Sequence, residues 1–197
     1  MIRPIEKRIL IFTMKHYQTG FNLIELMVGL AILGFVGAFA LPAFTNTIKD
    51  NRIRTIASDV LVDLAFARSQ AATLGKQVAV CISSNGTSCA TSGTNWQVGR
   101  LVYVDADSSG TFNPGAGNPG EIILRVRDSL TSTATLTATN AGAWTGGTTY
   151  VVRYHPSGVP VNGIGNLDIC DDRHGATGRR ITLSAIGRAS SANYPCP

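Results

Sequence analysis

The chain contains little charge. Asp, Glu, Lys and Arg make up only 15% of its 197 residues, whereas an average soluble domain has roughly 25%. Apolar residues account for 44%, so the composition is not that of a long disordered protein, which is rich in charge and poor in apolar side chains. The sequence also has only one long apolar run, which excludes a protein with several membrane-spanning helices.

The sequence also lacks the motifs of common enzymes. It has no P-loop, no dinucleotide-binding fingerprint and no serine within a nucleophile-elbow pattern. Only His155 and His174 lie outside the first twenty residues, and Ser157 near His155 has no such pattern around it. No two cysteines have the Cys-x-x-Cys spacing of a zinc site. We therefore expect no enzyme and no resident metal or cofactor.

The apolar run extends from Phe21 to Phe44 and contains one ionisable residue, Glu25. As a helix it would be roughly 36 Å long, enough to cross a hydrocarbon core of about 30 Å. Basic residues precede it, which favours a cytoplasmic N-terminus and an exported remainder; they are Arg3, Lys7, Arg8 and Lys15. A cleavable secretory signal is the alternative, because alanines lie at the end of the run. A carboxylate within such a run is costly and typical of a functional residue.

The residues at the start of this run have a specific order. Gly20 precedes Phe21. Counted from Phe21, Glu25 is the fifth residue and Pro42 is the twenty-second. This pattern resembles the leader junction of type IV pilins and of type II secretion pseudopilins, with Asn22 in place of the more common threonine. The resemblance implies cleavage after Gly20 by a membrane prepilin peptidase and methylation of the new N-terminal amine of Phe21.

The same resemblance implies that Glu25 and Pro42 act in filament assembly. Glu25 would pair with the N-terminal amine of a neighbouring subunit as the chain leaves the membrane, and Pro42 would bend the helix. A helix that serves only as an anchor is the alternative. Because leaders of this family are short, we expect Met14 to be the initiator, which would leave a seven-residue leader.

Beyond Pro42 the apolar residues follow a helical period, and Gly75 is typical of a helix C-terminus. One helix is therefore predicted from about residue 22 to residue 74, with one apolar face in its second half. The chain is expected to have four segments: a leader at 1–20, a transmembrane helix half at 21–44, an amphipathic helix half at 45–76 and a β-rich periplasmic head at 77–197.

In the head, short β-branched runs alternate with turn residues, as in an antiparallel sheet. The predicted strands are Gln77–Ile82, Trp96–Asp105, Glu121–Val126, Thr149–Tyr154, Gly165–Cys170 and Arg179–Ile186. Two long connections, at 106–120 and 140–147, are candidate partner-binding loops. The prediction is an α+β fold, the lollipop of pilins, in which a mostly antiparallel sheet packs on the amphipathic half of a long helix.

Segments of the head resemble the GspH/FimT family of minor pilins. They are the hairpin sequences Trp96–Asp105 and Gly120–Arg125, the turn Tyr154–Gly158, and Gly187-Arg188. The resemblance implies a minor subunit in the bacterial inner membrane that initiates or caps assembly of a type IV pilus. Its partners would be prepilin peptidase, other pilins, the assembly platform and the membrane. The alternatives are an H-type minor pseudopilin of type II secretion, and a membrane-tethered receptor outside any filament.

All four cysteines follow the apolar run; they are Cys81, Cys89, Cys170 and Cys196. An even number in an exported domain predicts two disulfides in an oxidising periplasm. Three pairings are possible. We favour Cys81–Cys89, which closes a polar loop, and Cys170–Cys196, which fixes the C-terminus.

One acidic segment, Asp105–Gly110, resembles the first half of a calcium-binding loop. The twelfth position, where such a loop has its final carboxylate, is Ala116. Glu121 could replace that carboxylate only by folding back. The expected structure is therefore a hydrated turn without a metal.

The head contains eight arginines and no lysine. Some FimT-like minor pilins bind DNA through a C-terminal Gly-Arg-x-Arg segment, and here Arg188 matches the first arginine while Ser190 stands at the second. Arg179 and Arg180 are further candidates, although on a strand they would face opposite sides. DNA is therefore a candidate partner. Most of the net charge of +5 comes from the leader, which contains four basic residues and one acidic residue. The total charge therefore mainly indicates on which side of the membrane the N-terminus lies.

Overall fold

The computed structural model describes residues 20, 22–115, 117–139, 150–161, 165–173, 175 and 177–197, without the side chains at 40–43. The chain divides into two compact units, Met1–Phe44 and Thr45–Pro197. One helix, α1 (Leu23–Leu74), contributes to both units.

The first half of α1 is apolar on every side. The helix begins after Asn22, whose carbonyl oxygen accepts hydrogen bonds from the amides of Glu25 and Leu26 at 3.0 and 3.2 Å, and it continues through position 42. The described large apolar side chains of this unit are exposed, with Phe35 70% accessible. Among the described residues, α1 is the one helix that is long and apolar enough to cross a bilayer, by length and composition.

The second half of α1 has one buried face. Its buried apolar side chains recur at the spacing of an amphipathic helix; they are Ile53, Ile56, Ala57, Val60, Leu64, Ala67 and Ala71. The helix ends at Leu74, and Gly75 then adopts a φ of 63°. Glycine reaches this left-handed conformation at little steric cost, which makes it a common helix terminator.

In the described part of the chain, eight strands form two four-stranded antiparallel sheets that pack on this face. The strands are β1 (Gln77–Ile82), β2 (Arg100–Asp105), β3 (Ile123–Arg127), β4 (Thr135–Thr139), β5 (Val151–Tyr154), β6 (Asn166–Cys170), β7 (Thr177–Leu183) and β8 (Ala189–Pro195). The strand orders are β3-β2-β1-β5 and β4-β6-β7-β8. One core cluster contains side chains from α1 and from both sheets. The predicted fold, a long N-terminal helix packed on antiparallel sheet, is confirmed.

The start of β2 differs from the prediction. Residues Trp96–Val98 form a short 3-10 helix instead of the beginning of a strand. The side chain of Asn95 caps this turn by accepting a hydrogen bond from the amide of Gln97 at 3.1 Å. The local cap therefore overrides the strand preference of the residues that follow it.

Two strands, β4 and β8, were not predicted. The sequence of β4, TLTAT, has the alternation of a half-buried strand, with Leu136 and Ala138 buried, but it is short and threonine-rich. The sequence of β8, ASSANYP, is largely polar and lacks this alternation. Both form through pairing with β6 and β7, and β8 matches β7 over seven residue pairs. β7 correspondingly ends at Leu183, before the predicted end at Ile186. The predicted loop at 140–147 lies outside the described residues.

Two disulfides join the cysteine pairs favoured from the sequence. Cys81–Cys89 links β1 to the loop after it, and Cys170–Cys196 links the end of β6 to the C-terminal segment. Gly178 of β7 lies beside the second disulfide, where a Cβ would be only 2.5 Å from the Sγ of Cys196. A glycine at this position leaves the space that the crosslink occupies.

Candidate functional site

Glu25 lies in the first turn of α1, within the apolar unit. Its side chain is exposed, as are the apolar side chains of Ile24 and Leu26 on either side of it. A carboxylate at a helix N-terminus interacts favourably with the helix dipole, but inside hydrocarbon it also requires a positive partner. Phe21 lies outside the described residues. The roles of Gly20, Phe21, Glu25 and Pro42 therefore remain predictions.

In the second unit, Asp63 of α1 is the centre of a buried charge cluster. Its Oδ2 accepts a hydrogen bond from Nη2 of Arg100 at 3.0 Å. Its Oδ1 accepts one from Nη1 of Arg125 at 3.0 Å and one from Nε of Arg127 at 3.2 Å. The side chains of Asp63 and Arg100 are only 1% and 4% exposed. The guanidinium of Arg125 also lies 3.9 Å from the centre of the Phe66 ring. These contacts join α1 to β2 and β3 through charge as well as apolar packing.

Asp63 was not among the residues singled out from the sequence, although a signal was present. It follows the buried Val60 by three positions and precedes the buried Ala67 by four, which places it on the apolar face of the helix. A carboxylate at such a position predicts a buried basic partner, because an isolated buried charge is very unfavourable. The identity of the partners depends on contacts far apart in sequence.

Arg179 and Arg180, two of the candidate DNA-binding residues, lie on opposite faces of β7. Arg180 donates two hydrogen bonds to the carboxylate of Asp168, at 2.5 and 2.7 Å. Its guanidinium also lies 3.9 Å from the centre of the Tyr194 ring. Arg179 lines a cleft beside α1, together with Asp50. The two arginines therefore face different parts of the head.

Arg188, the third candidate, is exposed just before β8. The three arginines do not form one surface, because Arg180 binds Asp168 on the opposite face of β7, whereas Arg179 and Arg188 line clefts beside α1. DNA binding by this protein stays a prediction; Arg188 is exposed, whereas Arg179 and Arg180 are half-buried.

Two turns of the head meet at Arg68 of α1. In one turn the amide of Gly158 donates to the carbonyl oxygen three residues earlier at 2.8 Å, and in the other the amide of Gly187 does the same at 2.9 Å. Arg68 donates from Nε to the carbonyl oxygen of Gly158 and from Nη2 to that of Ile186, each at 2.9 Å. These turns contain the Tyr154–Gly158 and Gly187-Arg188 segments, so one side chain connects both family-like segments to the helix.

Glu121 folds back onto the acidic segment at the end of β2. One carboxylate oxygen from each of Asp105, Asp107 and Glu121 lies within 4.8 Å of the other two. The antiparallel pairing of β2 with β3 produces this arrangement. Tyr103 pairs with Ile123 in the antiparallel ladder. Glu121, two residues before Ile123, therefore lies beside Asp105, two residues after Tyr103.

A long apolar N-terminal helix that packs through its second half on antiparallel sheets defines a pilin-like protein. The family model "Type II transport protein GspH" matches residues 57–187. The model "Prokaryotic N-terminal methylation motif" matches residues 15–41. The chain belongs to the GspH family and is a pilin or pseudopilin that carries an N-terminal methylation motif.

Similar proteins come from type IV pili. The type IV major fimbrial protein FimA of Dichelobacter nodosus is 27% identical over 158 residues, covering 74% of this chain and 97% of FimA. The type IV major alpha-pilin of Moraxella bovis is 26% identical over 138 residues, covering 65% of this chain and 84% of the alpha-pilin. The crystal structure of the Pseudomonas aeruginosa type IV minor pilin FimU superposes with a TM-score of 0.53 at 19% identity, covering 72% of this chain and 89% of FimU.

Proposed function

We propose that this protein is a minor subunit of a type IV pilus that helps to initiate or cap filament assembly. Prepilin peptidase would cleave it after Gly20 and methylate the amine of Phe21. The single observation that carries this proposal is Glu25, a carboxylate in the first turn of α1, whose first half is otherwise apolar on every side. The methylation motif at 15–41 and the pilus proteins among the relatives support it.

The membrane is the expected environment of the first unit before assembly. Exposed apolar side chains such as Phe35 would be unfavourable in water and favourable in hydrocarbon. The basic residues of the leader favour retention of the N-terminus in the cytoplasm, which would place the head in the periplasm. Two disulfides in the head fit an oxidising compartment.

Glu25 would guide the transfer from membrane to filament. After cleavage, each subunit begins with the positively charged amine of Phe21, four residues before its own Glu25. A carboxylate in hydrocarbon gains most from an opposite charge with which it can form hydrogen bonds. The amine of a neighbouring subunit supplies that charge, and the attraction would set the relative height of the two helices.

The test compares Glu25→Ala with the matched control Leu26→Ala in the native cell. We expect the Glu25→Ala protein to be cleaved and held in the membrane at normal levels, but to fall at least tenfold in sheared filaments. The expected reason is loss of the charge that pairs with the neighbouring amine. Immunoblots of membrane and sheared fractions measure this, with mass spectrometry of the N-terminus to verify cleavage. Normal filament levels of Glu25→Ala would contradict the proposed role of Glu25, and absence of the unaltered protein from sheared filaments would favour a membrane-tethered receptor.

A second candidate is the H-type minor pseudopilin of type II secretion, which the matched family model favours by its description. Both functions use the same processing and the same helix, so they are separated by phenotype. Deletion of the gene is expected to abolish twitching motility and leave protein secretion intact. Loss of secretion with normal motility would replace the pilus proposal by the secretion one.

A further inference from the structure

We propose that Asp105, Asp107 and Glu121 form a calcium-binding site where the connection between β2 and β3 returns to the sheet. The inference is independent of filament assembly, because it rests on side chains of the second unit alone. It assigns a ligand to the residues that flank the connection at 106–120, a candidate partner-binding loop by its length.

The chain itself holds the three carboxylates together. Asp105 is the last residue of β2, and Glu121 is placed beside it by the strand register. Asn113 donates from its backbone amide to Oε2 of Glu121 at 2.6 Å. Asn118 donates from its side chain to Oδ2 of Asp107 at 2.8 Å. The acidic oxygens, within 4.8 Å of one another, are thus fixed by contacts within the loop.

Two buried polar atoms at this place lack a hydrogen-bond partner among the described residues. They are Oδ1 of Asp105 and the hydroxyl of Tyr103, and both residues are 0% exposed. The other oxygen of Asp105 accepts the amide of Gly110 at 3.0 Å. Buried polar groups are nearly always satisfied by protein, water or an ion. The free oxygen of Asp105 is therefore available to a ligand that approaches the acidic group.

The charge balance of the site points to a cation. One oxygen of each of the three carboxylates lies within 4.8 Å of the other two, and two of these residues, Asp105 and Glu121, are buried. Arg153 offsets part of the negative charge, with Nη1 3.8 Å from Oδ2 of Asp105. A bound divalent ion would neutralise the mutual repulsion of three ionised carboxylates and favour their ionised forms.

Calcium fits the ligands better than other common ions. All the available atoms are hard oxygens, which suit calcium or magnesium and disfavour zinc or copper. The side-chain amide of Asn113 donates from its nitrogen to both carboxylate oxygens of Glu121 at 3.0 Å, which holds that carboxylate in place. An irregular group of carboxylate oxygens is tolerated by calcium, whereas magnesium demands a regular octahedron.

The test titrates the full chain in detergent micelles with calcium chloride after removal of ions by a chelator. Calorimetry should give one calcium per chain, with a Kd on the order of 10⁻⁴ to 10⁻³ M, as in extracellular modules. Saturating calcium should raise the thermal midpoint by several degrees, because the ion binds the folded chain alone. Magnesium chloride at the same concentrations should bind at least tenfold more weakly.

Three variants locate the ion. Asp107→Asn removes one charge from an exposed side chain, so folding should be unaffected while the calcium Kd rises at least tenfold. Glu121→Gln should have the same effect; if that protein does not fold, Asp107→Asn decides. Asp128→Asn, at an exposed acid just beyond β3, should leave the Kd unchanged. Absence of calcium binding, an unchanged Kd in Asp107→Asn, or equal binding of magnesium would each overturn the proposal.

Discussion

Replacement of Asp63 by asparagine is expected to lower the free energy of unfolding by about 3 to 5 kcal/mol, the usual cost of breaking a buried ion pair. Asparagine preserves the shape of the side chain but removes the charge that balances three guanidinium groups. Arg125 and Arg127 can turn partly toward water, since 29% and 37% of their side chains are exposed, whereas Arg100 is only 4% exposed. Most of the expected loss therefore comes from an uncompensated charge at Arg100.

The measurement is guanidinium unfolding of the full chain in detergent, followed by tryptophan fluorescence. Asp59→Asn is the matched control, because residue 59 lies on the same helix outside the cluster, and it should change the free energy by less than about 1 kcal/mol. A double variant, Asp63→Leu with Arg100→Met, should recover much of the loss, since apolar pairs can replace buried ion pairs. A loss below about 1 kcal/mol in Asp63→Asn would show that the cluster is not a stabilising contact.

Features that depend on local sequence were predictable. The helix from Leu23 to Leu74 follows from its apolar run, its amphipathic period and Gly75 at its end. The buried strands β1 and β6 are rich in apolar and β-branched residues, and their predicted positions agree with the structure to within one residue. In these segments the hydrophobic pattern and the local conformational preference favour the same structure, so sequence alone was sufficient.

Features that depend on pairing between distant segments were not predictable. β8 contains few apolar residues and becomes a strand only because β7 offers an unpaired edge. The partners of Asp63 come from residues at least 37 positions away. The approach of Glu121 to Asp105 requires the exact register of β2 and β3. Sequence patterns report which face a residue lies on, but register and partner are set by the tertiary fold.

The arginines of the head illustrate the same limit. Within the described part of the chain, six of the eight lie within 4 Å of a carboxylate oxygen: Arg100, Arg125, Arg127, Arg153, Arg173 and Arg180. Their number suggested a polyanion as partner, whereas their contacts show that most of them act within the fold. Arg173, for example, binds Asp50 of α1 and Asp171, and this contact holds the pKa of Asp171 below its usual value.

Replacement of Gly187 by alanine is expected to cost about 2 to 5 kcal/mol of unfolding free energy, from two separate effects. Gly187 has a φ of 79°, which costs an L-residue about 1 to 2 kcal/mol. A Cβ at this position would also overlap the carbonyl oxygen of Gly158, and overpacking of this kind costs about 1 to 3 kcal/mol. Relief of the overlap would move the oxygen that accepts the hydrogen bond from Arg68.

Gly75→Ala separates the two effects, because Gly75 has a similar φ of 63° and no described atom lies within 4 Å of a Cβ there. This control should lose only the conformational part, about 1 to 2 kcal/mol. Thermal unfolding of both variants in detergent measures the difference. In a protein that already carries Arg68→Ala, Gly187→Ala should lower the free energy of unfolding by less, because the two turns are then free to separate. Equal losses in Gly187→Ala and Gly75→Ala would mean that the turns adjust without strain, and that Arg68 does not hold them together.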